Sequence, residues 1–364
     1  MVPQLFTLLC LQERMMSLIM QPSGRVCFRI ILEEKMSQRE QQEIGKASDK
    51  KLRVGTRGSQ LARTQTGHVR DQLSDLGFDP QEVILATRGD QQQTVPIAQI
   101  GNDGVFVREL EKALLEDRID LAVHSLKDLP TAMTSGLEFA CVPPRATPFD
   151  VLVSKEGTGL SDLPVGARVG TASVRRRIQV QAIRPDVKVV PIRGNVDSRL
   201  QRLDNDELDA VILAAAGLER LGHEERISDV LRPPAFWPAV AQGALVIQIN
   251  SANHRVRELL RPIHHPETYL ATVAERALLS ALAGGCLAPI GSWGRFEEGK
   301  ELFLGGCVLS DRRGRIETVT ATCSSKVGDS ESAMLLGRKV AAELLNKGAQ
   351  PLLDIMRDDE TLSR

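Results

Sequence analysis

Lys127 and Asp128 stand side by side in the stretch Asp120-Leu-Ala-Val-His-Ser-Leu-Lys-Asp-Leu-Pro130. The apolar run Ile119 to Val123 reads as a short buried strand, after which the chain turns polar at His124 and Ser125 and is broken by Pro130. Loops at strand ends in α/β proteins are where ligands bind and chemistry is done. A lysine and an aspartate placed there offer one cation for an anionic substrate and one carboxylate to face a developing positive charge. A surface turn with a local ion pair would show the same letters, so the weight falls on what accompanies it.

Three further strand-to-helix junctions carry arginines. In Gly55-Thr-Arg-Gly-Ser59 the glycines let backbone N–H groups approach an anion, Arg57 offers a bidentate clamp for a carboxylate, and Ser59 caps a helix. The pattern is not G-x-G-x-x-G, which argues against a dinucleotide site. In Gly170-Thr-Ala-Ser-Val-Arg-Arg-Arg177, Ser173 follows Thr171 and caps a helix whose first turn holds Arg175 and Arg176. Cations there oppose the helix dipole, so a bound anion explains them better than a solvated face. In Pro191-Ile-Arg-Gly-Asn-Val-Asp-Ser-Arg199, Arg193 closes a strand, Gly194 permits tight backbone before Asn195, and Arg199 lies on the next helix. A substrate bearing several carboxylates or phosphates would account for all three junctions. The last constellation is Ala283-Gly-Gly-Cys-Leu-Ala-Pro289, where two glycines expose the Cys286 sulfur on a tight loop. Cys286 is a nucleophile, a covalent attachment point or a buried inert cysteine. No histidine lies close in sequence, which counts against a Cys-His protease.

These segments need elements to hold them. Leu52–Gly55 reads as a strand, Ser59 to about Leu76 as a helix, Val83–Ala86 as a strand and Phe106–Leu115 as a helix. After Pro143-Pro144-Arg145 a second unit begins, with strands at Asp150–Val153, Arg168–Gly170, Val187–Ile192 and Ala210–Leu213. Helices fall at Ser173–Ile183, Val196–Leu203 and Ala214–Leu221. Such alternation indicates parallel-type α/β layers. Gly243–Ile249 is a strand that could return to the first sheet. Past Pro266, a helix over Glu267–Leu282, strands at Ile290–Phe296, Leu302–Leu309 and Ile316–Cys323, and a helix over Ser330–Leu345 suggest a small α+β domain. The expected boundaries are 51–145 plus 243–262, 146–242, and 266–357.

The chain has 364 residues, 26% charged and 42% hydrophobic, as a globular protein does. A net charge of −1 gives no global field for nucleic acid, and one Tyr and two Trp give few stacking platforms, although the Arg168–Arg202 region is strongly basic. The six cysteines are scattered without a C-x-x-C pair, so neither zinc nor a disulfide framework is indicated, and a reducing compartment fits. No apolar run approaches the ~20 residues of a spanning helix. Residues 1–50 read as an over-extended start, disordered over 34–51, with an organelle transit peptide as the alternative.

Together, Arg53-Val-Gly-Thr-Arg-Gly-Ser59, Val123-His-Ser-Leu-Lys-Asp-Leu-Pro130, Gly170-Thr-Ala-Ser-Val-Arg-Arg176, Arg193-Gly-Asn-Val196, Pro238-Ala-Val-Ala-Gln-Gly-Ala244 and Gly284-Gly-Cys-Leu-Ala-Pro-Ile-Gly291 resemble the porphobilinogen deaminase (hydroxymethylbilane synthase) family, over about Lys51 to Met356. The resemblance implies an α/β fold of two periplasmic-binding-protein-like domains, with a third, small α+β domain and the site in the cleft between the first two. It implies a transferase that joins four porphobilinogen molecules head to tail into hydroxymethylbilane, releasing ammonia, on a dipyrromethane cofactor in thioether linkage to Cys286. Asp128 is then the catalytic residue. Arg57, Ser59, Lys127, Thr171, Ser173, Arg175, Arg176, Arg193, Gly194, Asn195, Arg199 and Arg220 hold carboxylates of substrate or cofactor, and Asp90 and Phe106 flank an active-site loop.

No metal, nucleic acid or membrane is expected, and the protein is expected to be a cytoplasmic monomer, or stromal if the extension is a transit peptide. Two departures are clear: the 50-residue lead lies outside the family's pattern, and the loop after Asp90 differs from it. Where the family loop reads like A-K-x-G-x-K-G, this chain has Ala98-Gln-Ile-Gly-Asn-Asp-Gly104, so Gln99 and Asp103 replace two lysines. The alternative function is a non-catalytic bilobed module binding small anions, which would need neither Asp128 nor Cys286.

Overall fold

The computed structural model describes residues 50–85, 107–282, 289–297, 301–312 and 314–354. A short unit within these holds Lys50, Lys51 and Gly77–Asp79, where the Asp79 N–H donates to the Lys50 carbonyl at 2.8 Å. The main unit, Leu52–Leu76 with Pro80 onward, carries the features below.

In the first sheet, β1 (Lys51–Arg57) runs into α1 (Gln60–Asp75), and Ser59 accepts the Ala62 N–H as the N-cap. With β2 (Asp79–Leu85), β3 (Leu121–Ser125), β4 (Leu137–Cys141) and β10 (Leu245–Asn250), the strand order is β2-β1-β3-β10-β4. β1 pairs parallel with β3, whereas β10 pairs antiparallel with both β3 and β4. The helix α2 (Arg108–Leu115) buries Leu110, Ala113 and Leu114 against Ile119, Ala122 and Leu137. Spaced three and four residues apart, they form one face of a helix.

The second sheet has the order β7-β6-β8-β5-β9, with β5 (Asp150–Ser154), β6 (Arg168–Gly170), β7 (Lys188–Val190), β8 (Ala210–Ala214) and β9 (Asp229–Leu231). β5 is buried throughout because helices cover both faces. Leu152 packs with Val180 of α3 (Val174–Ile183). Val151 and Val153 pack with Leu200 and Leu203 of α4 (Val196–Asp204) and Leu218 of α5 (Ala215–Leu221). The two-residue alternation of side chains along a strand divides the core in this way.

Both sheets are mixed rather than parallel, because β5 runs antiparallel to β8 and β9 as β10 does to its neighbours. β10 enters the first sheet after the chain has traversed the second, so no helical crossover forces it parallel. Two short strands, β4 and β9, and the helix α6 (His254–Leu260) are additions to the elements expected from sequence.

The third region is a β11-β12-β13 antiparallel sheet (Ile290–Phe296, Glu301–Arg312, Arg315–Lys326) with α7 (Pro266–Ala281) and α8 (Ser330–Asn346). Pro266 opens α7 where its missing N–H is no loss, and Asp329 with Ser332 closes a capping box on α8. Ala274 and Leu278 of α7, Leu336 and Val340 of α8, and Leu304 and Val308 of β12 share one core. Cys307 and Leu309 of β12 pack instead with Trp237 and with Ile178 of α3.

Candidate active site at the strand ends

The turn after β3 is held from three sides. The buried Leu126 anchors it, and its N–H donates to the Ala244 carbonyl at 3.0 Å. Ser125 Oγ donates to Gln65 Oε1 at 3.1 Å and accepts from Gln65 Nε2 at 2.9 Å, which ties the turn to α1. Arg276 of α7 donates to the carbonyls of Leu129 at 3.1 Å and Pro130 at 2.5 Å. The single helical turn Leu126–Asp128 therefore aims its two charged side chains differently. Lys127 is half-buried and its Nζ donates to Gln242 Oε1 at 3.3 Å. Burial pushes its pKa down to about 8, against the pull of Asp128. Asp128 is exposed, and its carboxylate makes no hydrogen bond or ion pair among the described residues.

At the second junction Ser173 caps α3, accepting the Arg176 N–H at 3.4 Å. Thr171 is buried, and its Oγ1 accepts the Ser173 N–H at 3.2 Å. The anion that the dipole requires beside Arg175 and Arg176 is Asp150, the first residue of β5. Arg175 Nη1 reaches Asp150 Oδ2 at 2.8 Å, while Arg176 Nε and Nη2 reach Oδ1 at 2.9 and 2.7 Å. Arg175 also donates to the Trp237 carbonyl, and Arg176 to the Ile212 carbonyl at 3.1 Å. Burial pushes the Asp150 carboxyl up, but the two guanidiniums outweigh it and hold it well below the usual carboxylate range. Two cations against one carboxylate leave a net positive charge.

At the third junction Gly194 has φ +105°, and a Cβ there would lie 2.1 Å from Ser198 Oγ, so the tight backbone requires glycine. Asn195 caps α4 by accepting the Ser198 N–H at 2.8 Å, and Arg193 is exposed. Arg199 Nε donates to the Gly194 carbonyl at 2.9 Å, and Arg220 Nη2 to the Gly243 carbonyl at 2.7 Å. Neither arginine makes an ion pair among the described residues. Burial, aided by the Arg176 charge, pushes Arg199 down to about 10. Burial takes Arg220 to about 10 against the pull of Glu219. Arg57 is half-buried at the end of β1, beside the Ser59 cap.

Two chain segments join the first sheet to the second, and they meet behind the site. Gly243 has φ +86°, and a Cβ there would lie 2.5 Å from the Ala146 carbonyl oxygen. Arg145 Nε donates to the Gln242 carbonyl at 2.8 Å. Asp150, Gln242, Arg145, Glu275 and Arg276 were not singled out from sequence. Asp150 carried a signal, a charge heading an apolar strand, and Gln242 lay inside a quoted motif.

Cys286, Asp90, Phe106, Gln99 and Asp103 lie outside the described residues. Burial pushes the thiols of Cys141 and Cys307 up to about 12, which makes them poor nucleophiles. Among the described residues no acidic, Cys or His cluster could hold a metal ion, and no helix is long and apolar enough to cross a membrane.

Two α/β layers, partly buried cations at their strand ends and a carboxylate that makes no hydrogen bond or ion pair among the described residues define a protein built to handle a small polyanion. The comparisons with known proteins carry this further. Residues 52–258 match the porphobilinogen deaminase dipyromethane cofactor binding domain, and residues 269–346 match the porphobilinogen deaminase C-terminal domain. The chain belongs to the porphobilinogen deaminase family. It is 43% identical over 309 residues to the porphobilinogen deaminase of Syntrophobacter fumaroxidans, covering 84% of this chain and 98% of that one. It is 44% identical over 305 residues to that of Moorella thermoacetica, covering 83% and 95%. Among solved structures, the methionine binding protein MetQ aligns at 13% identity with a TM-score of 0.38, over 61% of this chain and 93% of that one.

Proposed function

We propose that this chain is a hydroxymethylbilane synthase. It condenses four porphobilinogen molecules head to tail, with loss of one ammonia from each, on a dipyrromethane primer attached through Cys286. The observation that carries this is the trio Lys127, Arg199 and Arg220. These are burial-depressed cations without an ion-pair partner among the described residues, in the same site as the Asp128 carboxylate. Cations left partly desolvated and unpaired are costly unless an anion arrives. A pyrrole bearing an acetate and a propionate is such an anion, so this donor set also fits the primer. The alternative, a non-catalytic binding module, has no support from the relatives, which carry the enzyme's name.

Each side chain then has a task. Arg199, Arg220 and Lys127 hold carboxylates, with Arg57 and Arg193 at the rim. Ser59 and Ser173 accept backbone N–H groups, which leaves each hydroxyl hydrogen to donate to a carboxylate oxygen; Thr171, Gly194 and Asn195 shape the two loops. Arg175 and Arg176, anchored on Asp150, add a fixed positive field. When bound, the primer supplies a nucleophilic pyrrole α-carbon and keeps the growing chain attached. Asp128 faces the substrate carbon from which ammonia leaves, accepts the pyrrole N–H and stabilises the positive charge that develops there. The protein acts as a monomer on a small-molecule substrate, in the cytoplasm. Its scattered cysteines support a reducing setting.

The test is the intact mass of the purified full chain with a turnover assay. A dipyrrole adduct present in wild type, absent in Cys286→Ser and accompanied by porphobilinogen consumption is the expected result. An active enzyme without an adduct, or with the adduct on another cysteine, would overturn the attachment. No turnover by adduct-bearing wild type would overturn the activity.

A further inference from the structure

Gln242 is 1% exposed, and its side-chain amide is engaged at both ends. Oε1 accepts from Lys127 Nζ at 3.3 Å and from Arg176 Nη2 at 3.5 Å. Nε2 donates to the Pro148 carbonyl at 2.8 Å and to Asp150 Oδ1 at 3.0 Å. Lysine and arginine can only donate, and a carbonyl or carboxylate can only accept, so this network fixes which way the amide points. The backbone is held as firmly. Arg145 binds the Gln242 carbonyl, and Gly243 is packed against Ala146 where no Cβ fits. One neutral side chain thus touches Lys127 from the first sheet and the Asp150–Arg176 pair from the second.

We propose that Gln242 is a positioning residue. Its amide fixes the Lys127 ammonium against the Asp150–Arg176 pair, so that the cation awaiting a substrate carboxylate is held next to Asp128. This rests on the carboxylate-binding role given to Lys127 above. A free lysine side chain has four rotatable bonds and would lose much freedom on each binding event; here that loss is taken at folding. The amide oxygen also stands between two cations that would otherwise repel. The charged groups facing Lys127 are Asp128 and Asp150, which favour its charged form, and Arg175 and Arg176, which oppose it; burial is the largest influence and brings it down to about 8. An acceptor on the ammonium favours its charged form, so loss of the acceptor lowers the midpoint and an anionic acceptor raises it.

The experiment uses the full-length protein as wild type, Gln242→Met and Gln242→Glu, with folding checked by circular dichroism. The titration of Lys127 is read without substrate, by trace acylation with acetic anhydride across pH and peptide mass spectrometry. The expected midpoint falls by about one pH unit in Gln242→Met, the size of a hydrogen bond to a charged group, and rises in Gln242→Glu. In turnover, KM for porphobilinogen should rise several-fold in Gln242→Met with a smaller change in kcat, and the alkaline limb of kcat/KM should follow the midpoint. If Gln242→Met does not fold, the opposite shift in Gln242→Glu decides. A Lys127 midpoint unchanged in a folded variant overturns the proposal, because a residue that only fills space would leave it unmoved. Absence of turnover in wild type would reject the function above, while the acylation result would still decide the role of Gln242.

Discussion

Arg145 and Glu275 meet fork to fork, Nη1 to Oε1 at 2.5 Å and Nη2 to Oε2 at 3.1 Å. The same carboxylate accepts the Ala241 N–H at 2.6 Å and the Gly294 N–H at 2.8 Å. One buried side chain of α7 therefore binds both connecting segments and β11. The next residue, Arg276, grips the turn after Asp128. Glu275→Gln should leave the Arg145 charge buried and unpaired and cost about 3–5 kcal/mol. The measure is the urea midpoint, and Arg145→Met added to Glu275→Gln should recover part of the loss. A single variant within about 1 kcal/mol of wild type would mean that water already serves Arg145.

Asp128→Asn keeps shape and removes charge. The carboxylate is exposed and makes no hydrogen bond among the described residues, so the variant should melt like wild type. Turnover should fall about 10²-fold or more, the scale of removing one electrostatic stabiliser. Near-normal turnover by a primer-loaded Asn variant would reject Asp128 as the catalytic group.

Lys127 predicts a pH limb. Its midpoint near 8 means that the free protein loses this cation as pH rises through 8, whereas carboxylate binding needs the charged form. KM should therefore climb above pH 8. Arginine stays protonated throughout this range, so Lys127→Arg should flatten the limb even if its activity at pH 7 is lower. A limb retained in that variant would assign it to another group.

His124 predicts acid sensitivity. Burial lowers its pKa to about 4, outweighing a favourable interaction with Gln248. The native state keeps the imidazole neutral while the unfolded chain takes up a proton below pH 6.5. Stability from this group is thus full above 6.5 and is lost as pH falls toward 4, at about 1.4 kcal/mol per unit. Between pH 7 and pH 5, wild type should lose about 2 kcal/mol more than His124→Gln. Equal urea-midpoint changes in the two proteins would contradict a buried neutral histidine.

What the sequence disclosed depended on how local each feature is. Ser59 and Ser173 were readable as caps because cap, first turn and hydroxyl lie within four residues of one another, and α1 and α3 begin directly after them. The excess of positive charge at Arg175 and Arg176 was equally readable, although the sequence pointed to a bound ligand and not to a residue of the chain as the anion beside it. The residue that supplies it was not, because Asp150 lies on another strand and reaches the guanidiniums only when β5 is placed in its sheet. Gln242 was visible as part of a motif, yet its partners come from three elements that only the tertiary fold assembles. β9 is three residues long, too short for any periodicity to reveal. The mixed strand directions were hidden for a similar reason: alternation of strands and helices does not record that β10 arrives from another sheet.

Asp150 has a bearing on the order in which this protein is made. It is a counter-ion that belongs to the polypeptide, so Arg175 and Arg176 gain an anionic partner as soon as β5 and α3 meet. The second sheet can thus assemble before any tetrapyrrole is present.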